Sequence, residues 1–440
     1  MKTEPSSFSI ALYSMMESLS SALDLINPAL DSHHRITCYI ACSLAEEMAM
    51  GDEDFNNLFA ASLLHDIGGI ALMDRLKLLD FEVRRPHDHA ELGYILLSKF
   101  EPFVGFSDLV RHHHVDWQNG KGENHNGHPV SFLSHLIHLA DRVAVIVDRS
   151  LPIFEQVAEI RDKVMEHSGE YFMPEHVEAF LSVSRKEFFW LDIISDRLNL
   201  ILRKKSRLPT VSLDTDGLLM MSQFYALIID TRSRFTATHS SGVATCAREL
   251  ALLFDVSDDE AKKFMIAGYL HDIGKLAVPD SILEKNGKLS LEEWRTVRSH
   301  TYYTRQILES IAGLDDITDW ASDHHENLGG DGYPYRRTAR KIPLGSRILA
   351  VADVFTALSE DRPYRAGMKI DEIIEVLDKM VVEKHLDDEV VGRLKQNIKE
   401  VYKTLLVAQE LENLKLSDFW EKAQSLLSDE QFKETSGCNN

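Results

Sequence analysis

The sequence predicts an all-α protein in which one helical domain is written twice. Three observations carry that prediction. The segment HDIGG at 65–69 returns as HDIGK at 271–275, polar residues flank both copies at matching intervals, and apolar residues recur at helical spacing while period-two runs are scarce.

The intervals define the repeat. His33 precedes His65 by 32 positions, as His239 precedes His271; His89 precedes His113 by 24, as His300 precedes His324. Asp141 lies 28 after His113, and Asp353 lies 29 after His324. Only the step from 65 to 89, against 271 to 300, differs much, at 24 and 29. DKVMEHSGEYFMPEHVEAF near 162 is echoed by DKMVVEKHLDDEVVGRL near 378. The seam is expected near SRLPT at 206–210, which gives an N-terminal domain over 1–206 and a C-terminal domain with a helical extension over 207–440. Before the seam, RKEFFWLDIISDRLNLILRKK reads as a helix that joins the halves stiffly.

Local signals agree with helix. Ser257 stands three before Glu260, and Ser290 three before Glu293, the pattern of a capping box at a helix start. Phe264, Ala267 and His271 share one helical face, as do Leu58, Ala61 and His65, so each motif histidine points toward a core.

Composition narrows the function. A chain of 440 residues with a net charge of −22 lacks the basic surface that grips long nucleic acid, so an anionic ligand needs local basic side chains or metal. Cys38, Cys42, Cys246 and Cys438 form no CxxC pair, which suits reduced thiols and a cytoplasmic address. No secretory leader and no apolar run long enough to cross a bilayer is expected, hence no membrane partner.

In the second half His239, His271, Asp272, His300, His324, His325 and Asp353 form a nitrogen and carboxylate set without thiolate, suited to borderline or hard divalent ions. Seven such side chains overfill one tetrahedral site but suit two ions bridged by a carboxylate. A single one of these histidines would read as a hydrogen-bonded core residue; the spacing and the repeat favour metal.

HDIGK at 271–275, HHENLGGDGYP at 324–334 and ADVFTALSEDRPYR at 352–365 resemble the HD-GYP domain, the HD phosphohydrolases that cleave bacterial cyclic dinucleotides. The resemblance spans about 210–405, and an HD half before an HD-GYP half resembles the tandem phosphodiesterases for 3′,3′-cyclic GMP-AMP. It implies two all-α HD-type domains and two divalent ions, iron or manganese. One ion is held by His239, His271, Asp272 and Asp353; the other shares Asp272 and adds His300, His324 and His325. A third ion would need a glutamate where this chain has Phe235.

Ions of this kind lower the pKa of water to about 7, so hydroxide can attack phosphorus in line. Asp272 and Lys275 are the expected catalytic residues, Lys275 as the cation that holds phosphate oxygens and eases departure of the ribose 3′-oxygen. Arg362, Arg365 and Lys369 are candidates for the second phosphate, with a structural ion pair as the competing role for Arg362. Tyr333 is either a base contact or part of a structural turn. Glu326 is expected to orient a histidine or loop. Gly329 and Thr356 stand where the family usually has acidic residues, with Asp331 a substitute for the first.

The first half keeps His33, His65, Asp66, His89, His113, His114 and Asp141 as a vestigial metal site. His34 competes with His33 for the first position, and the interval favours His33. Gly69 replaces the lysine, Val115 the glutamate, WQNGKGENHNGHP the GYP loop and DRSLPI the DRPYR segment, so this half is expected to be catalytically silent or regulatory.

The expected function is metal-dependent hydrolysis of 3′,3′-cyclic GMP-AMP, cyclic di-GMP or both to a linear 5′-phosphorylated dinucleotide. Two alternatives stand beside it: a non-catalytic dinucleotide sensor or scaffold, and another HD nucleotide phosphohydrolase. Tandem helical domains often pair through a joining helix, so a homodimer is also an expectation.

Overall fold

The computed structural model describes residues 7–26, 32–71, 86–232, 238–283, 285, 287–360 and 366–436. Phe235, Arg362 and Arg365 lie outside them. The chain forms two compact units, one of residues 1–14 and 210–420, the other of 15–209 and 421–440. The units are therefore not two consecutive segments. Among the described residues, no helix is long and apolar enough to cross a membrane.

The unit carrying HDIGG is a helical bundle. His33–Glu47 packs on Asp52–Leu64 and Phe132–Ile146, while Pro86–Leu97 packs on Glu101–Arg111 and on the short 3-10 turn Ile67–Ala71. The segment expected to form a joining helix is two helices, Glu187–Ile193 and Leu198–Lys205, separated by a polar turn in which the Ser195 hydroxyl accepts from the Arg197 N–H. Trp190, Ile193, Leu198 and Leu202 are buried, so these helices are part of the core of this unit. Where the other repeat has GYP, Asn124–His125 and His128–Pro129 pair antiparallel. Asn126 and Gly127 take positive φ of 52° and 85° in the turn, a conformation that asparagine and glycine adopt at least cost.

The unit carrying HDIGK repeats the plan. His239–Leu252 packs on Asp258–Leu270 and on Leu344–Ser359, and His300–Leu308 packs on the turn Ile273–Ala277. Ser257 caps its helix by accepting from the Glu260 N–H, and Ser290 and Glu293 form the reciprocal pair of bonds. This unit also contains an antiparallel ribbon joining Ser7–Ala11 to Thr210–Asp214, with Ser7 opposite Asp214 and Ala11 opposite Thr210.

The glycine of HDIG has a packing role in both units. A Cβ on Gly274 would lie 1.9 Å from the His300 carbonyl oxygen, and one on Gly68 would lie 2.1 Å from that of His89. Only a bare Cα lets the next ligand-bearing helix approach the motif. Thr304 strengthens the contact in the second unit by donating to the His271 carbonyl and accepting from the Gly274 N–H. Gly274→Ala is expected to destabilise its unit by about 1–3 kcal/mol through this overlap. Thermal unfolding checks it: a melting temperature equal to that of the parent protein would contradict the packing argument.

Candidate metal centre

In the HDIGK unit the helix Asp258–Leu270 ends at His271, and the chain turns so that Asp272 faces the same buried space. His300 opens the next helix, His324 and His325 follow Asp315–Ser322, and Asp353 projects from Leu344–Ser359. His239 opens His239–Leu252. All seven expected ligands converge, forming the groups His239, His271, Asp353 and His300, His324, His325, with Asp272 between them.

Distances and tautomers show what this space suits. His271, His300 and His324 each donate Nδ1–H to the carbonyl three residues back, on Gly268, Val297 and Ala321, at 2.7, 2.7 and 2.6 Å. Each neutral ring thereby directs an Nε2 lone pair inward. The Nε2 atoms of His300 and His324 face one another at 3.4 Å, and His271 Nε2 is buried without a hydrogen-bond partner. Two inward lone pairs at that distance repel unless a cation lies among them, and backbone-oriented imidazoles are the usual support of metal ligands. Asp272 presents Oδ2 to His271 Nε2 at 3.1 Å and Oδ1 to His300 Nε2 at 3.4 Å, one oxygen toward each group. His239 Nε2 stands 3.1 Å from Asp353 Oδ1. The donor set fits divalent ions.

Electrostatics point the same way. Burial alone would raise the Asp272 carboxyl, but the His271 ring and the Lys275 ammonium beside it hold it well below the usual carboxylate range. Burial pushes His300 down to about 3 and lowers His324 and His325, favouring neutral, ligating rings. Lys275 lies on the 3-10 turn beside the motif and donates to Asp272 Oδ2.

The loop at 326–337 is braced from within. Glu326 accepts from the backbone N–H groups of Tyr335 and Arg337 at 2.6 and 2.7 Å. A Cβ on Gly332 would meet the His325–Asn327 backbone at 2.6–2.7 Å, so the loop can lie against the histidine pair. The Tyr333 ring is 4.8 Å from that of His325, and the Arg298 guanidinium lies over the Tyr333 ring, 4.3 Å from its centroid. Lys369 is exposed at the start of Ile370–Val382, its backbone N–H bonded to Glu372, and no described contact joins it to the metal ligands.

Several residues that support the candidate ligands were not among the expected site residues. Glu360 Oε2 lies 3.1 Å from His239 Nδ1, and Gln409, on the long helix Asp388–Ser436, donates to Glu360 Oε1 at 2.6 Å. Asp230 accepts from the Ser240 hydroxyl beside His239. Arg298 beside Tyr333 was also missed. An adjacent-repeat comparison could have flagged Asp230, because Asp24 lies at the same 206-residue offset.

Burial would depress His239, but the Glu360 and Asp353 carboxylates outweigh it and push its pKa up to about 10. A metal ion must displace that proton. Glu360→Ala removes the support of the ligand, which typically weakens metal binding about 10–100-fold, and also eases deprotonation. The two effects oppose below the raised pKa and only the first survives above it. The affinity deficit of the variant is therefore expected to be larger at pH 9 than at pH 7, as read by metal titration of the metal-free protein. A deficit independent of pH would contradict the proton competition.

The HDIGG unit gathers its own residues as closely. Asp66, His89, His113 and His114 form one buried group, His33, His65 and Asp66 another, and His65, His113 and Asp141 a third. Gly69 leaves no cation where Lys275 stands, and Arg142, buried, binds Asp141 Oδ2.

Two helical units, each gathering histidines and aspartates around an HD pair, define the metal-dependent HD type of hydrolase fold. Family models described as HD domain match residues 30–146 and 192–390. The chain is 30% identical over 394 residues to the 3′3′-cGAMP-specific phosphodiesterase 1 of Vibrio cholerae, covering 87% of this chain and 91% of that protein. It is 39% identical over 149 residues to a cyclic di-GMP phosphodiesterase of Pseudomonas aeruginosa, covering 33% and 36%. The crystal structure of a cyclic GMP-AMP specific phosphodiesterase of V. cholerae shares the fold, with a TM-score of 0.60 at 24% identity over 89% of this chain and 98% of that one. The chain belongs to the HD-domain family, among its tandem-domain cyclic dinucleotide phosphodiesterases.

Proposed function

We propose that this protein hydrolyses 3′,3′-cyclic GMP-AMP to the linear 5′-phosphorylated dinucleotide at the HDIGK unit, with two iron or manganese ions bound there. The observation that carries the reading is the convergence of inward imidazole nitrogens on Asp272, whose two oxygens address both groups and whose Oδ2 is also bonded by Lys275. The choice of dinucleotide rests on the names of the relatives matched over most of the chain, with cyclic di-GMP the competing substrate.

His239, His271, Asp272 and Asp353 would hold one ion, and Asp272, His300, His324 and His325 the other. The ions, when bound, supply nucleophilic hydroxide near neutral pH and neutralise charge on the phosphate. Asp272 keeps the two positions adjacent, while backbone acceptors hold His271, His300 and His324 in the ligating tautomer. Lys275, about a fifth exposed, keeps ammonium N–H groups for a non-bridging phosphate oxygen and for the departing ribose 3′-oxygen. Tyr333 lies against the His325 ring at a tilt and under the Arg298 guanidinium, which suits it to bracing that histidine at the rim. Arg298 adds a cation there for the second phosphate.

The test incubates protein loaded with iron or manganese with each dinucleotide and chromatographs the products. Linear product appearing faster from cyclic GMP-AMP is expected. Faster cleavage of cyclic di-GMP would reverse the substrate assignment, and intact dinucleotide retained on the protein would identify a binding module instead.

A further inference from the structure

We infer that the HDIGG unit is a closed, structural divalent-metal centre in which His34 fills a coordination position that the HDIGK unit leaves open. This rests on the metal reading of the HDIGK unit, because the two donor sets are argued alike.

The first group of donors is spaced for an ion. His89 Nε2 lies 3.0 Å from His114 Nε2, 3.2 Å from Asp66 Oδ1 and 3.3 Å from His113 Nε2. His113 Nε2 lies 3.6 Å from the same Asp66 oxygen. Four donors at tetrahedral corners with bonds of about 2.0–2.1 Å stand roughly 3.3 Å apart. Hydrogen bonding cannot serve all these contacts. His113 commits Nδ1–H to the Val110 carbonyl at 2.6 Å, so its Nε2 carries no proton in the neutral ring, while His89 Nε2 offers at most one proton to three neighbours. The four side chains are buried, and His114 is 7% exposed where its counterpart His325 has a side chain 31% exposed. A substrate has less access here.

The second group holds the unexpected residue. His34 is 1% exposed, and its Nδ1 is bonded to Asp24 at 2.9 Å, with Asp24 braced in turn by Arg35 at 2.8 Å. That pairing leaves Nε2 as a lone pair, and Nε2 is buried without a hydrogen-bond partner, 3.9 Å from Asp66 Oδ2. Asp66 Oδ2 also faces His65 Nε2 at 3.3 Å and His33 Nε2 at 3.6 Å. With bonds near 2.1 Å, two donors about 3.9 Å apart fit wide-angled positions on one ion. Asp141 adds Oδ1, 3.1 Å from His33 Nε2 and otherwise unsatisfied, since Arg142 occupies its Oδ2. His33, His65 and Asp66 thus form one donor group, Asp141 Oδ1 adjoins His33 and His65, and His34 Nε2 adjoins Asp66 Oδ2 as the added donor of the proposed site.

The other repeat shows what His34 changes. At the same offset stands Ser240, whose hydroxyl turns to Asp230, the counterpart of Asp24. The supporting carboxylate is present in both units, but only the HDIGG unit uses it to aim an imidazole at the centre. Catalytic sites keep a position open for water or substrate, whereas structural sites are filled by protein. Filling that position, together with glycine in place of Lys275, accounts for a unit that retains its ligands and has no hydrolytic role. Its donors come from helices far apart in the chain, so a bound ion ties the bundle together and contributes to its stability.

The experiment uses the full-length chain. Elemental analysis after dialysis against a chelator, release kinetics and thermal unfolding are compared for the parent protein, His271→Ala with Asp272→Ala, and His34→Ser. The double variant is expected to retain slowly released divalent metal and to melt lower once stripped, recovering with added Zn2+ or Mn2+. His34→Ser is expected to release that metal at least tenfold faster while remaining folded by circular dichroism. A metal-free double variant, indifferent to added ions beside a metal-loaded parent protein, would overturn the inference and leave the HDIGK reading intact. Should the double variant not fold, the parent protein decides alone: slow and fast classes of ion are expected, and a single fast class overturns the proposal. A parent protein that is active yet holds no metal would refute both readings.

Discussion

Replacing His271 and Asp272 together with alanine is expected to remove dinucleotide hydrolysis, with a loss of at least about 10³-fold, or roughly 4 kcal/mol of transition-state stabilisation. The size follows from position: Asp272 faces both donor groups, so its removal would dismantle both proposed ion positions rather than weaken one. The matching change in the other unit, His65→Ala with Asp66→Ala, is expected to leave most turnover per folded molecule while lowering thermal stability. Steady-state rates normalised to folded protein check the pair. Loss of turnover only in the His65 and Asp66 variant would reverse the assignment of the two units.

Lys275→Ala is expected to lower kcat by about 10²–10³-fold, the usual cost of deleting one donor that stabilises charge developing in the transition state. Metal content should hold, because none of the proposed ligand atoms is removed, and KM should change less than kcat. Since Lys275 also bonds Asp272 Oδ2, metal analysis must accompany the kinetics. A fall in activity that tracks metal loss would make Lys275 a support of the ligand instead. Lys275→Gly reproduces the residue found in the HDIGG unit and should behave like the alanine variant.

The clusters of candidate ligands were legible because their chemistry is written in residue type and interval. Histidines and aspartates repeated at intervals of 32 and 24 have few uses, and the duplication gives each interval a second reading. Their supports were not legible. Glu360, Gln409 and Arg298 belong to no spaced set, and each matters only because helices distant in sequence bring it beside His239 or Tyr333. His34 was visible as a rival to His33, but its separate use depends on Asp24 holding its ring. The joining segment read as one helix on periodicity, and packing decided otherwise: apolar residues on both sides of the Ser195 turn bury in the same core.

By itself the sequence determined the all-α repeat, the capped helices and the inventory of metal donors, since these depend on local propensity, short-range periodicity and side-chain chemistry. The tertiary structure alone decided the ribbon between Ser7–Ala11 and Thr210–Asp214, the Asp24 carboxylate behind His34, the Asp230 carboxylate behind Ser240 and the Glu360 carboxylate behind His239. Those features are distances between residues far apart along the chain, set by how whole helices pack, and no local pattern encodes them.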